Sequence, residues 1–129
     1  MLPDNSDNSE LSPWAAIVGP CYTMASFSRV LGVSPVLVGE AAAELRVLRL
    51  RTADGVDLFP AFQVRDGHVH PQFQPVLEAL RSGIDDQWTW AQWLHTPCLN
   101  GVVQMDKLWA GHLAKVIRDA ERDAWAWRS

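Results

Sequence analysis

Apolar residues return every three or four positions from Thr23 onward, with Met24, Phe27, Val30 and Leu31 on one face of a helix. Gly32 ends that helix. Ser34 is placed to cap a second one, and Pro35 suits its first position, where a missing N–H costs nothing. The second helix, from Pro35 to about Leu45, is expected to bury Leu37, Ala41 and Leu45. Two helices joined by Leu31-Gly32-Val33-Ser34 outline a helix-turn-helix. The period then switches to two. Leu48 and Leu50 alternate with Val47, Arg49 and Arg51 as a strand, and Asp54-Gly55 supplies the positive φ of a tight hairpin. A second alternating run sets Val56, Leu58, Phe62 and Val64 on one side. Pro60 removes a ladder donor from it, which predicts an edge strand or one broken at that residue. Asp66-Gly67 marks a further turn, so the hairpin reads as a wing beside the two helices.

The remainder is helical. Phe73, Val76, Leu77 and Leu80 form an i, i+3, i+4, i+7 stripe ended by Ser82-Gly83. Asp85 or Asp86 can cap the next helix, which turns Trp90, Trp93 and Leu94 inward until Thr96-Pro97 stops it. After Gly101 a short helix holds Met105, Leu108 and Trp109 and breaks at Gly111. Leu113, Val116, Ile117 and Ala120 stripe a last helix, whose charges from Lys115 to Asp123 mark a wet face. Trp125 and Trp127 follow that stripe, either folded back on the bundle or projecting toward a partner. The expected fold class is therefore mainly α with short β-hairpins. It comprises a disordered or extended segment 1–20, a winged helix-turn-helix-like part 21–70 and a small helical bundle 71–129.

Length and composition suit one small globular unit: 129 residues, 48% hydrophobic and 20% charged. No apolar run could span a bilayer and no export signal opens the chain, so neither membrane nor secretion is expected. Cys21 and Cys98 stand far apart and outside any metal-binding pattern, which suits reduced thiols in a cytoplasm. The net charge of −4 argues against indiscriminate nucleic-acid binding. Residues 21–52 are the exception, with Arg29, Arg46, Arg49 and Arg51 against Glu40 and Glu44.

No nucleotide-binding, zinc-protease or hydrolase motif is present, so the chain reads as no enzyme. His68 and His70 share a strand face but lack a third ligand, and solvated hairpin residues explain them better than a metal. A DNA-reading helix sets Arg, Lys, Asn or Gln against base edges, and none lies between Ser34 and Leu45. Arg29, Ser34, Arg46, Arg49 and Arg51 are the candidates for phosphate contact. A helix-turn-helix serving as scaffold or dimer contact is the equal alternative. Six of the seven tryptophans (88, 90, 93, 109, 125 and 127) lie in the helical part, a concentration that makes either a core or a docking face.

The helical part resembles the toxin-binding domain of Xre/MbcA/ParS-type antitoxins, which neutralise RES-domain toxins. The resemblance rests on Trp93-Leu94, Thr96-Pro97, Leu99-Asn100-Gly101, Leu108-Trp109-Ala110-Gly111 and Val116 in the family's order, after Phe59-Pro60-Ala61-Phe62-Gln63 and Asp66-Gly67. It covers the chain from about residue 23 to the end. The family places a proline soon after its Leu-x-Gly, where this chain has Val103 and Gln104. The resemblance implies a cytoplasmic antitoxin without a cofactor, covering the active-site cleft of a cognate NAD-depleting toxin. Autorepression through operator DNA, and assembly as a homodimer or a larger complex with the toxin, are further implications. It assigns toxin contact to Trp93, Leu94, Thr96, Pro97, Leu99, Gly101, Leu108 and Gly111. The closing Trp125, Trp127 and Arg128 would occupy or cap the cleft. The alternative is a stand-alone helix-turn-helix transcriptional regulator.

Overall fold

In the computed structural model, which describes residues 17–129, strand β1 (Cys21–Thr23) runs directly into helix α1 (Met24–Leu31). Thr23 serves both elements, its hydroxyl accepting the Ser26 N–H at 3.2 Å as the helix cap. Gly32, at φ 71°, closes α1 by donating to Ser28 O at 2.8 Å. Ser34 caps α2 (Pro35–Ala43), accepting from Leu37 N at 3.3 Å. Past α2 the chain turns through a left-handed Leu45, φ 62°, and Arg46 N–H returns to Ala41 O at 2.8 Å. A non-glycine residue is strained there, and the near-complete burial of Leu45 holds it.

Strands β2 (Leu50–Arg51) and β3 (Asp57–Pro60) form the expected hairpin, with Gly55 at φ 86°. Antiparallel pairing to β1 as well makes the order β1-β3-β2, in register Tyr22↔Phe59 and Leu50↔Leu58. Of the two expectations for the run 56–64, the strand broken at Pro60 holds and the edge strand does not. β3 is the central strand and stops at Pro60, and a 3-10 turn (Ala61–Gln63) shifts the phase before β4 (Val64–Arg65). Val56 is exposed, while Phe59, from the opposite set, is buried. β4 pairs with β5 (His68–Val69) across Asp66 and Gly67, both at positive φ as a two-residue turn requires.

The helical part consists of α3 (Phe73–Arg81), α4 (Gln87–His95), α5 (Gln104–Trp109) and α6 (Leu113–Arg128). All four stripe residues of α3 are fully buried. Asp86 caps α4, accepting Trp88 N–H at 3.1 Å and the Thr89 hydroxyl at 2.9 Å. α3 meets α6 so closely at Gly83 that a Cβ there would lie 2.5 Å from the Ala124 backbone. The fold is mainly α with short antiparallel hairpins, as expected.

Two hydrophobic clusters fill it. The larger surrounds Trp90 and joins α3–α6 to Val18, Leu45, Leu48 and Leu50. The smaller lies under α1 and α2 around Phe27 and Phe59, whose rings stack at 4.5 Å. The division at residue 70 is a change of secondary structure, because the larger core runs across it. Of the segment 1–20, residues 1–16 lie outside the described residues, and Val18 is a core residue rather than part of a disordered lead. Three burial expectations change. Leu37 and Val30 are exposed; Ala41 and Leu45 are buried as expected, and α2 adds Val38 and Ala42. Val47, expected on the strand's outer side, is buried in the smaller cluster. Trp125 and Trp127 do not follow the last helix but lie within it.

Candidate partner-docking groove

The segment after α4 is built stepwise. Thr96 leaves helical geometry ahead of Pro97, while its N–H still donates to Gln92 O at 2.9 Å. Pro97 and Val103 form an antiparallel bridge, and Cys98 N donates to Val102 O at 2.9 Å. Gly101, φ 82°, turns the chain, and Asn100 Oδ1 accepts Val102 N–H at 3.1 Å. Gly101 N–H donates back to Cys98 O at 2.9 Å, and at the tip of this hydrogen-bonded loop Leu99 is wholly exposed, with a relative accessibility of 110%.

Beside that tip lies an open groove of about 770 Å³ between the end of α4, the loop, α5 and α6. Trp93 and Trp127 line it, with a chain of charges between them. Asp119 accepts from Gln104 Nε2 at 3.2 Å and lies 3.8 Å from Lys107 Nζ and 3.4 Å from Arg122 Nη1. Asp123 takes the Trp93 indole N–H at 2.7 Å and Arg122 Nε at 3.2 Å. The hydrogen bond and charge of Asp123, supported by Asp119, hold Arg122 still more firmly protonated than an ordinary arginine. The Cys98 thiol sits 3.6 Å from both Lys107 Nζ and Gln104 Nε2. The groove thus carries a chain of hydrogen-bonded charges between two indoles, with Pro97 and Leu99 on its apolar side.

Of the residues expected to meet a toxin, Trp93, Thr96, Pro97, Leu99 and Trp127 converge on this groove. Leu94 and Leu108 are fully buried in the larger core and shape the site only from beneath. Gly101 and Gly111 supply left-handed turns. Trp125 stands 63% exposed on another part of α6, and Arg128 donates to Ser82 O at 3.1 Å, fastening the end of α6 to that of α3. Gln104, Lys107, Asp119, Arg122 and Asp123 were missed. The α6 charges read as a solvated face, and their only signal was the i, i+3, i+4 spacing of Asp119, Arg122 and Asp123. Gln104 is buried as the first residue of α5.

The expected phosphate-contacting set is dispersed in its commitments. Arg46 pairs with Glu44 at 2.7 Å, and Arg51 pairs with Asp57 through Nε at 2.8 Å and Nη2 at 3.3 Å. Arg29 bonds Ser26 Oγ at 3.4 Å, Arg49 is half-buried, and Ser34 is occupied as a cap. His70 Nδ1 accepts from Gln72 N at 3.1 Å, and its ring meets Trp109 edge-on at 4.8 Å. Desolvation there holds the imidazole below its usual pKa. His68 is exposed, and the described residues hold no group of three potential metal ligands. Burial pushes the Cys21 thiol up to about 11, so it is an inert thiol at neutral pH. No helix among the described residues is long and apolar enough to cross a membrane.

No protein-family model matches the chain, and no curated protein matches its sequence. Among solved structures, the NMR structure of Rv2175c superposes with a TM-score of 0.70 at 24% sequence identity, covering 81% of each chain. That likeness shows the fold. It spans the greater part of both chains.

Proposed function

We propose that this chain is a non-enzymatic antitoxin that binds a RES-type, NAD-depleting toxin through its helical part and covers the toxin's active-site cleft. The carrying observation is Leu99, fully exposed at the tip of a hydrogen-bonded loop beside a groove framed by Trp93 and Trp127. An apolar side chain held out on a hydrogen-bonded turn loses little entropy on burial, and tryptophan beside it is the residue type that dominates interface hot spots. Trp125 supplies a second apolar anchor on α6. Arg128 is engaged with Ser82, so contact is assigned to the helix face rather than to a free tail.

The test is co-expression with the product of the adjacent gene, followed by purification and an NAD-hydrolysis assay. A stable complex without NADase activity is expected, and Leu99→Asp with Trp125→Ala should weaken it by roughly thirtyfold or more. Undiminished inhibition by the double variant, or no complex at all, overturns the reading. Removing residues 121–129 is the poorer experiment, because it takes out Ala124, which is packed on Gly83.

The helix-turn-helix followed by a hairpin favours a second reading, a DNA-binding regulator alone or alongside the first. A gel shift across a salt series separates the two. Sequence-selective nanomolar binding without a partner supports the regulator, and a steep salt slope without sequence preference supports phosphate contact alone.

A further inference from the structure

The two thiols of the chain have opposite surroundings. Cys21 is desolvated and held protonated, whereas Cys98 lies half-buried in the wall of the Leu99 groove. Lys107 Nζ and Gln104 Nε2 each stand 3.6 Å from Cys98 Sγ. Lys107 is itself sheltered, its side chain 12% exposed, and Arg122 is near enough for a thiolate at Cys98 to favour its protonated form. Cations and an amide N–H are the groups that steady an anionic sulfur and any anionic adduct on it. A second feature marks the same place independently. Gln104 is 4% exposed, and its Oε1 is buried without a hydrogen-bond donor among the described residues. Nε2 of the same amide is fully used, on Cys98 and on Asp119. Native structures seldom leave an acceptor in that state, and beside a groove its match is a ligand that brings an N–H.

We propose that Cys98 is a covalent modification site for a small peptide-like thiol, which brings carboxylates to Lys107 and Lys115 and an amide or ammonium N–H to the Gln104 amide. The reaction is thiol–disulfide exchange with the disulfide form of that thiol. The Cys98 proton passes to solvent and the thiolate attacks one sulfur of the disulfide. The new Sγ–S bond forms as the old S–S bond breaks, and the other half leaves as a thiolate. No further oxidant is consumed, and a reducing thiol reverses the step. The groove, about 770 Å³, has room for an adduct of tripeptide size beside Trp93 and Trp127. The assignment stands whether or not the same groove docks a toxin.

Intact-mass analysis of the folded full chain, with oxidised glutathione as the probe, tests this. One adduct is expected, mapping to Cys98 and removed by dithiothreitol; Cys98→Ser abolishes it and Cys21→Ser does not. Lys107→Gln should lower the rate with oxidised glutathione relative to that with cystamine, a disulfide bearing cations instead of carboxylates, by about three- to tenfold. A variant that merely loosens the fold speeds or slows both probes alike. Gln104→Leu should lower the yield of glutathione adduct relative to that of dithiodipropionate, which has carboxylates and no N–H. Circular dichroism checks that each variant folds. An adduct on Cys21 instead, or none until the chain is unfolded, overturns the proposal. So do probe ratios left unchanged by Lys107→Gln or by Gln104→Leu.

Discussion

The two hydrophobic clusters of this chain are assembled from different materials. The larger is closed by big side chains and by polar groups whose bonds are nearly all made: Trp90 is fully buried with its indole N–H on Ile84 O at 2.7 Å. Gln63, also fully buried, accepts Leu48 N at 2.8 Å and donates to Leu48 O at 2.9 Å and to Pro60 O at 3.1 Å. The smaller cluster rests on one stacked phenylalanine pair and on alanines and valines, and α2 above it leaves valine and leucine outside. The helical half thus has the fuller core and still sets Leu99 and Trp125 outside, whereas the helix-turn-helix half has a thin core and exposes Val36 and Leu37. The halves differ in what their cores are made of, which makes the contrast open to direct perturbation.

Trp90→Ala should give the largest effect, a loss of about 3–5 kcal/mol by chemical denaturation, as expected for emptying a closely packed tryptophan site. Gln63→Leu should follow at about 2–3 kcal/mol, because Leu48 N–H and C=O lose their partners inside the core. A loss within error there would mean that water replaces the amide. Gly83→Ala should destabilise by about 1–3 kcal/mol, since α3 and α6 must move apart. In the smaller cluster, Ala41→Gly should cost about 1 kcal/mol from helix propensity alone. If it matched Trp90→Ala, the contrast between the halves would fail.

The smallest effect is on pH. The folded state lowers the pKa of His70, so the neutral imidazole is favoured in the fold. Its contribution is fully present above the unfolded value of about 6.5 and fades as pH falls through the folded one. Thermal scans of wild type and His70→Gln should differ by a constant offset above that range, with only the wild type losing stability to this group on acidification.

Much of this was legible where a single physical rule acted unopposed. The α3 stripe, the Ser34 and Asp86 caps, and the Gly55 and Asp66-Gly67 turns follow from local stereochemistry, and the structure has each of them. α2 was misread because Val36, Leu37 and Val38 are all apolar, so periodicity cannot choose which one faces in. β1 has three residues and no alternation, and exists only because β3 pairs with it. The run through Phe62 failed because a 3-10 turn resets the alternation. At the groove, Trp93 through Leu99 could be found from helix-stop and turn chemistry. Asp119 and Asp123 could not, because a charge on a wet helix face looks the same whether or not a neighbouring helix supplies its partner.

The indoles of the helical part also give the molecule an intrinsic optical sensor. Those of Trp88, Trp90, Trp93 and Trp109 each donate to a fixed acceptor, at 3.1, 2.7, 2.7 and 3.3 Å, while Trp125 stands in solvent on α6. Ultraviolet emission therefore contains a red-shifted component from the Trp125 ring, and covering that part of α6 should move it blueward without any attached dye.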